Sequence, residues 1–307
     1  MTKSVASVGE CMLELSGGAD GTWRMGHAGD TFNTLWALRA LTPDDTLADY
    51  ISAFGDDPFS SEQKSFFAAH GIGTGASPVI AGGRPGLYAI TLDGAERSFT
   101  YWRSDSAARH LADDPEALRK SLSNQSLVYF SGITLAILEE SARSALIEAI
   151  AEARKSGSRI AFDPNYRPRL WSSPEEARTA VDAALAVCDI ALPTFPDEAL
   201  LYGDKDNKAT AQRLRQAGAK EVAVKDGSDP THLFWEDEEA VIPAIEVARP
   251  VDTTGAGDSF NGAYLAARLA GHPPEAAVRR AHRVAAAVIQ VHGALAPFEV
   301  LREAFAA

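Results

Sequence analysis

From Leu127 onward, short apolar runs alternate with stretches of helical period. Leu127 to Ser131, Arg159 to Asp163, Asp189 to Leu192 and Glu221 to Lys225 read as strands. Between and after them, Leu138 to Lys155, Pro174 to Val187, Asp197 to Tyr202 and Lys208 to Gln216 read as helices. Such alternation predicts a mostly parallel sheet covered by helices on both faces. A sheet of that kind binds ligands beyond the carboxyl ends of its strands. His232 to Trp235 and Ala240 to Ile245 read as a late strand pair, and Gly257 to Ala270 and Glu275 to Val291 as closing helices. Ahead of the alternation, Ser4 to Gly9 reads as a core strand, Gly29 to Leu41 as a helix, Leu47 to Phe54 as a strand and Pro58 to His70 as a helix.

One stretch breaks this rhythm. Gly86 to Leu92, a turn at Asp93-Gly94, and Arg97 to Trp102 predict a β-hairpin. With Cys11 to Leu15 and Thr22 to Met25 it would form a small separate sheet. The chain is thus expected to be one domain over 1–307, with the small sheet's strands inserted from about 11–26 and 84–103.

Composition excludes several function classes. A formal net charge of −13 argues against nucleic-acid and anionic-membrane partners, though not against a local basic pocket. Cys11 and Cys188 are far apart, so no disulfide framework is indicated and a reducing cytoplasm is expected. No signal peptide is evident, and no apolar run reaches spanning length.

The chemistry concentrates in Asp252-Thr253-Thr254-Gly255-Ala256-Gly257-Asp258. Small residues opening a helix let backbone N–H groups converge on an anion, aided by the helix dipole. A carboxylate on that first turn could take a proton from an attacking hydroxyl, or merely help cap the helix. Four further segments follow predicted strands. Asp30 and Asn33 open a helix after Gly29 and could hydrogen-bond sugar hydroxyls; a capping Asp is the plainer alternative. Tyr88 and Tyr101 face each other on the hairpin, as sugar-stacking rings or as cross-strand packing, with Arg103 just beyond. Asp163-Pro164-Asn165-Tyr166-Arg167-Pro168-Arg169-Leu170-Trp171 is either a surface loop or a binding loop. Lys225-Asp226-Gly227-Ser228-Asp229 reads as a phosphate contact or an ordinary turn. There is no Walker A run.

These residues resemble the PfkB/ribokinase family of sugar kinases, with Asp252 to Gly262 matching its carboxy-terminal signature and Ala28 to Asn33 a variant of its glycine motif. Gly9 to Leu15, Gly29 to Thr34, Arg84 to Tyr88, Arg97 to Arg103 and Asn165 to Trp171 are similar to runs in the family's kinases of 2-keto-3-deoxygluconate. The resemblance implies a ribokinase-like three-layer α/β/α sandwich, its small sheet forming a lid. It implies transfer of the γ-phosphoryl group of ATP to the terminal hydroxyl of the sugar acid, with Mg2+ accompanying the nucleotide. Asp258 would be the base, and Gly255, Ala256 and Gly257 the anion hole. Gly29, Asp30, Asn33, Tyr88, Tyr101, Arg103 and Arg167 would line the sugar-acid site. Asn165, Arg167, Lys225, Gly227, Ser228, His292 and Gly293 would approach the nucleotide.

The family's Asn-x-x-Glu motif, which helps organise the metal, is here Thr194-Phe195-Pro196-Asp197-Glu198. Asp197 or Glu198 would stand in. Two alternatives stay open: a kinase of another sugar, such as fructose or 2-keto-3-deoxygalactonate, and a sugar-acid sensor without turnover. The lid faces could join copies of the chain in a homo-oligomer, or the lid could cover only its own site.

Overall fold

The computed structural model describes residues 3–17, 21–93 and 96–307. Its centre is an eight-stranded sheet built from β1 (Ser4–Val8), β4 (Leu47–Ile51), β9 (Leu127–Ser131), β10 (Arg159–Asp163), β11 (Ile190–Ala191), β12 (Glu221–Asp226), β13 (Asp229–Trp235) and β14 (Glu238–Ile242). The spatial order is β14-β13-β12-β11-β10-β9-β1-β4, parallel from β12 to β4. The late pair β13 and β14 is antiparallel.

Alternate strand residues face opposite layers, as the pleat requires. Val128, Phe130, Ile160, Phe162, Val222 and Val224 join one core. It packs under α3 (Pro115–Leu122), α4 (Gly132–Ala136), α5 (Glu140–Lys155), α6 (Pro174–Ala186), α7 (Phe195–Tyr202) and α8 (Asn207–Ala217). Leu127, Tyr129, Ala161 and Ala223 point the other way. They meet α1 (Asp30–Leu41), α2 (Pro58–Ala69), α9 (Ala256–Leu269), α10 (Pro274–Val288) and α11 (Phe298–Ala306). The result is the expected three-layer α/β/α sandwich.

The small sheet has four strands in the order β3-β2-β7-β8. They are β2 (Met12–Gly17), β3 (Trp23–Ala28), β7 (Leu87–Asp93) and β8 (Glu96–Trp102). Gly94, in the expected hairpin turn, lies outside the described residues. Among the described residues no helix is long and apolar enough to cross a membrane. Both cysteines are buried and unpaired.

Several boundaries differ from the sequence reading. The expected strand 47–54 breaks in two, because Phe54–Gly55 (β5) leaves β4 and pairs with Val79–Ile80 (β6). The helix expected from Leu138 starts at Glu140, and a short helix capped by Ser131 precedes it. The late strand expected to Ile245 ends at Ile242, before Pro243, which has no N–H to pair. The last long helix ends at Val288 rather than Val291. Helix α3, capped by Asp114 and opened by Pro115, and helix α11 have no counterpart among the expected elements.

Candidate active site

The carboxyl ends of β1, β9, β10 and β12 converge with the N-termini of α1 and α9. Two glycines permit this. A Cβ on Gly29 would lie 2.1 Å from the Glu10 carbonyl oxygen, so only glycine lets the start of α1 press against the exit of β1. A Cβ on Gly262 would lie 2.4 Å from the Thr34 carbonyl oxygen, so α9 can seat directly on the backbone of α1. That close seating brings Asn33 Nδ2 to 2.8 Å from Asp258 Oδ2, to which it donates. Asn33 is braced in turn, its Oδ1 accepting the Gly29 N–H at 3.3 Å.

Asp258 sits on the first turn of α9 and is only partly exposed. Burial pushes its carboxyl up to about 7, and the neighbouring Asp30 charge adds to the rise. The Asn33 hydrogen bond and the Lys225 ammonium pull the other way. Gly255 is the N-cap, with φ 75°, and a Cβ there would meet the Ala294 Cβ at 2.8 Å. The first N–H groups of a helix have no acceptor within the helix, so the turn at Gly255 and Gly257 can offer donors beside Asp258, while the Ala256 N–H already meets the Thr253 carbonyl at 3.4 Å. Asp252 fixes this turn: Oδ1 accepts the Thr254 N–H at 2.9 Å and Oδ2 the Gly293 N–H at 3.0 Å.

Asp30 is the first residue of α1 rather than its cap, which is Gly29. Its Oδ2 accepts from Asn165 Nδ2 at 2.9 Å. Burial raises its carboxyl, against the hydrogen bonds from Ser131 and Asn165. Lys225 is buried and donates to Asp163 Oδ2 at 2.8 Å and to Asn261 Oδ1 at 2.9 Å. Its Nζ is 3.7 Å from where a Cβ on Gly257 would be. Hydrogen bonds therefore link Asn33 with Asp258, Asp30 with Asn165, and Lys225 with Asp163 and Asn261.

Tyr88 and Tyr101 are register partners with ring centroids 5.6 Å apart; Tyr88 is buried against Glu14, to which it donates, and Tyr101 is exposed. Arg103 follows the end of β8 and donates to the buried Glu10. Arg167 is exposed and donates to Asp197 at 2.9 Å. Each arginine thus already holds a protein carboxylate, with other donors to spare. Gly227 and Ser228 form the exposed turn between β12 and β13. His292 is exposed, and Gly293 adopts φ 81°. Residues the sequence reading left without a role include Asp163, Asn261, Tyr129 and Glu10. The signals were faint: a carboxylate ending a strand, and an Asn one helical turn beyond Asp258.

Of the two metal candidates, Asp197 is raised by burial and drawn back by Arg167. Glu198 is fully buried, is pushed up to about 7 by that burial, and is held by Arg213 at 2.6 Å. Among the described residues no three side chains of His, Cys, Asp or Glu form a metal-holding group.

Comparison with known proteins decides the family. The model of the pfkB family of carbohydrate kinases matches residues 2–301. The chain belongs to that family. This pfkB-family chain is 40% identical to the 2-dehydro-3-deoxygluconokinase of Dickeya dadantii over 308 residues, 98% of this chain and 99% of that protein. It is 38% identical to the Escherichia coli K12 protein of the same name over 309 residues, again 98% and 99%. Among solved structures, an E. coli protein provisionally named ribokinase II, in complex with ATP and Mg2+, superposes with a TM-score of 0.84. The two are 23% identical, and the match covers 100% of this chain and 99% of that one.

Proposed function

We propose that this chain transfers the γ-phosphoryl group of ATP to the terminal hydroxyl of 2-keto-3-deoxygluconate, giving the 6-phosphate. The observation that carries the reading is Asp258, a carboxyl raised to about 7, on the first turn of α9 beside Asn33. Near-full-length identity to two proteins named 2-dehydro-3-deoxygluconokinase supports the substrate.

The sugar acid lies over the start of α1, with Asp30 and Asn33 toward its hydroxyls. Arg103 and Arg167 meet its carboxylate, because a guanidinium fork suits a planar anion. Tyr88 and Tyr101 form the wall, and the small sheet acts as a lid that keeps water from accepting the phosphoryl group. Asp258 accepts the proton of the terminal hydroxyl as its oxygen bonds to the γ-phosphorus. The bond from that phosphorus to the β,γ-bridging oxygen breaks, and ADP leaves. Charge on the transferring oxygens is met by N–H groups of Gly255, Ala256 and Gly257, the Ala256 N–H giving up its long 3.4 Å bond to the Thr253 carbonyl. A pKa near the working pH suits Asp258 to this, since the group must be ionised yet basic.

ATP extends from that turn along Lys225, Gly227 and Ser228 toward His292 and Gly293, while the bond to Asp30 turns Asn165 to the sugar side instead. Mg2+, when bound, neutralises phosphate charge. No protein cage for it is seen among the described residues, so it would be carried mainly by the phosphates and water, with Asp197 the protein residue to reach it. Glu198, held in the interior by Arg213, does not fit that role. The test is phosphorus NMR of the product made with ATP, Mg2+ and 2-keto-3-deoxygluconate. A single phosphomonoester on the terminal carbon is expected; a product phosphorylated elsewhere would displace Asp258 from its role.

A further inference from the structure

Asp163 ends β10, 3% exposed, and its two oxygens serve opposite halves of the site. Oδ1 accepts the Asn165 N–H at 3.0 Å. That bond closes a turn in which Asn165 takes φ 38°, a left-handed backbone that Asn tolerates through such local bonds. The turn aims Asn165 Nδ2 at Asp30, 2.9 Å away, on the sugar side. Oδ2 accepts from Lys225 Nζ at 2.8 Å and from Asn261 Nδ2 at 2.7 Å, while Lys225 also donates to Asn261 Oδ1. Asp163, Lys225 and Asn261 therefore close a buried ring of hydrogen bonds. An ammonium has three N–H groups, and the ring uses two. The third is left for a ligand, at a nitrogen lying beside Gly257 on the phosphoryl side.

We infer that Asp163 is a positioning residue that locks the two halves of the site in register. It orients Asn165 toward the sugar end and holds Lys225 where a phosphoryl oxygen would meet its remaining N–H. The inference rests on the kinase reading of Asp258 and assigns a residue that touches neither substrate. Breaking a buried ion pair by removing one partner is strongly unfavourable, so the pair also holds the Lys225 side chain in place before any phosphate arrives.

The charged or titratable groups around Asp258 are Asp30 from α1, Tyr129 from β9, Asp163 from β10 and Lys225 from β12. Asp163 raises the Asp258 carboxyl and Lys225 lowers it. Asp163→Asn keeps shape but removes the charge. Its kcat should fall about a hundredfold, the loss typical of a roughly 1 Å misplacement. The acidic limb of its kcat/KM profile should move to lower pH, which a merely loosened fold would not cause. In a Lys225→Gln background the same change should cost little more, because both act through one ring. Wild-type kcat in Asp163→Asn would overturn the inference, as would an unmoved limb together with full additivity. Should Asp163→Asn not fold, Asn261→Ser loosens Lys225 from the other side and should lose kcat similarly; a wild-type kcat there would equally overturn it. Wild-type turnover on a neutral sugar alone would remove the sugar-acid reading and leave this inference standing.

Discussion

Asn33 and Asp258 are 225 residues apart and share a 2.8 Å hydrogen bond between the first turns of two helices packed backbone to backbone. The bond favours the ionised form of Asp258, yet burial and Asp30 still hold that carboxyl near 7. The proposed base is thus kept half-protonated near neutrality and fixed in orientation.

Removing the base should abolish turnover without abolishing binding. Asp258→Asn is expected to lower kcat about 10²–10⁴-fold, the range for a positioned general base. Calorimetric affinity for ATP should stay within a few-fold. A variant with intact kcat would mean another group takes the proton.

The pH profile of kcat/KM should rise through about 7 and level above it, because Asp258 acts when ionised. Asn33→Ala removes a bond to the charged form, so its acidic limb should lie at higher pH than that of the wild type. A limb that stays put, or moves down, contradicts the assignment.

Stability should follow the same group. A carboxyl raised above its ordinary value of 3.8 binds its proton more tightly when folded. It therefore favours the fold below about pH 4, and this contribution is lost as pH rises through about 7. Asp258→Asn should gain Tm relative to the wild type at pH 8 and gain little at pH 4. Thermal melts at the two pH values check the sign.

Gly262→Ala should cost about 1–3 kcal/mol by overpacking, since its Cβ would be driven into the Thr34 carbonyl. Activity should fall further than stability, because α9 must shift and part Asp258 from Asn33. Urea titration with kinetics on the same protein separates the two effects.

Arg103→Met should raise KM for the sugar acid about 10–150-fold, the equivalent of a hydrogen bond to a charged group, with KM for ATP unchanged. Equal losses for both substrates would point to the Glu10–Arg103 pair as structural only.

Much of the fold could be read because it is written in local periods. The strands at Leu127, Arg159 and Glu221, and helices α1, α2, α6 and α8, lie within a residue or two of their expected bounds. What escaped depends on partners distant in sequence. The strand from Leu47 divides because Phe54 finds Val79. Glu10 meets Arg103 across 93 residues, and nothing near either announces the pair. Asp163 looked like the end of a strand, and only the crossing of β10, β12 and α9 puts Lys225 and Asn261 on its second oxygen. The turn at Asp252 to Asp258 was legible because a helix opening on small residues is a local event. Its attachment to Gly293 through Asp252 was not.

The most direct test is ADP release from ATP and Mg2+ over a panel of 2-keto-3-deoxygluconate, 2-keto-3-deoxygalactonate, gluconate, fructose and ribose. Turnover confined to the keto-deoxy acids is the predicted result. Turnover on fructose or ribose in their place, or on none of the panel, would contradict the account.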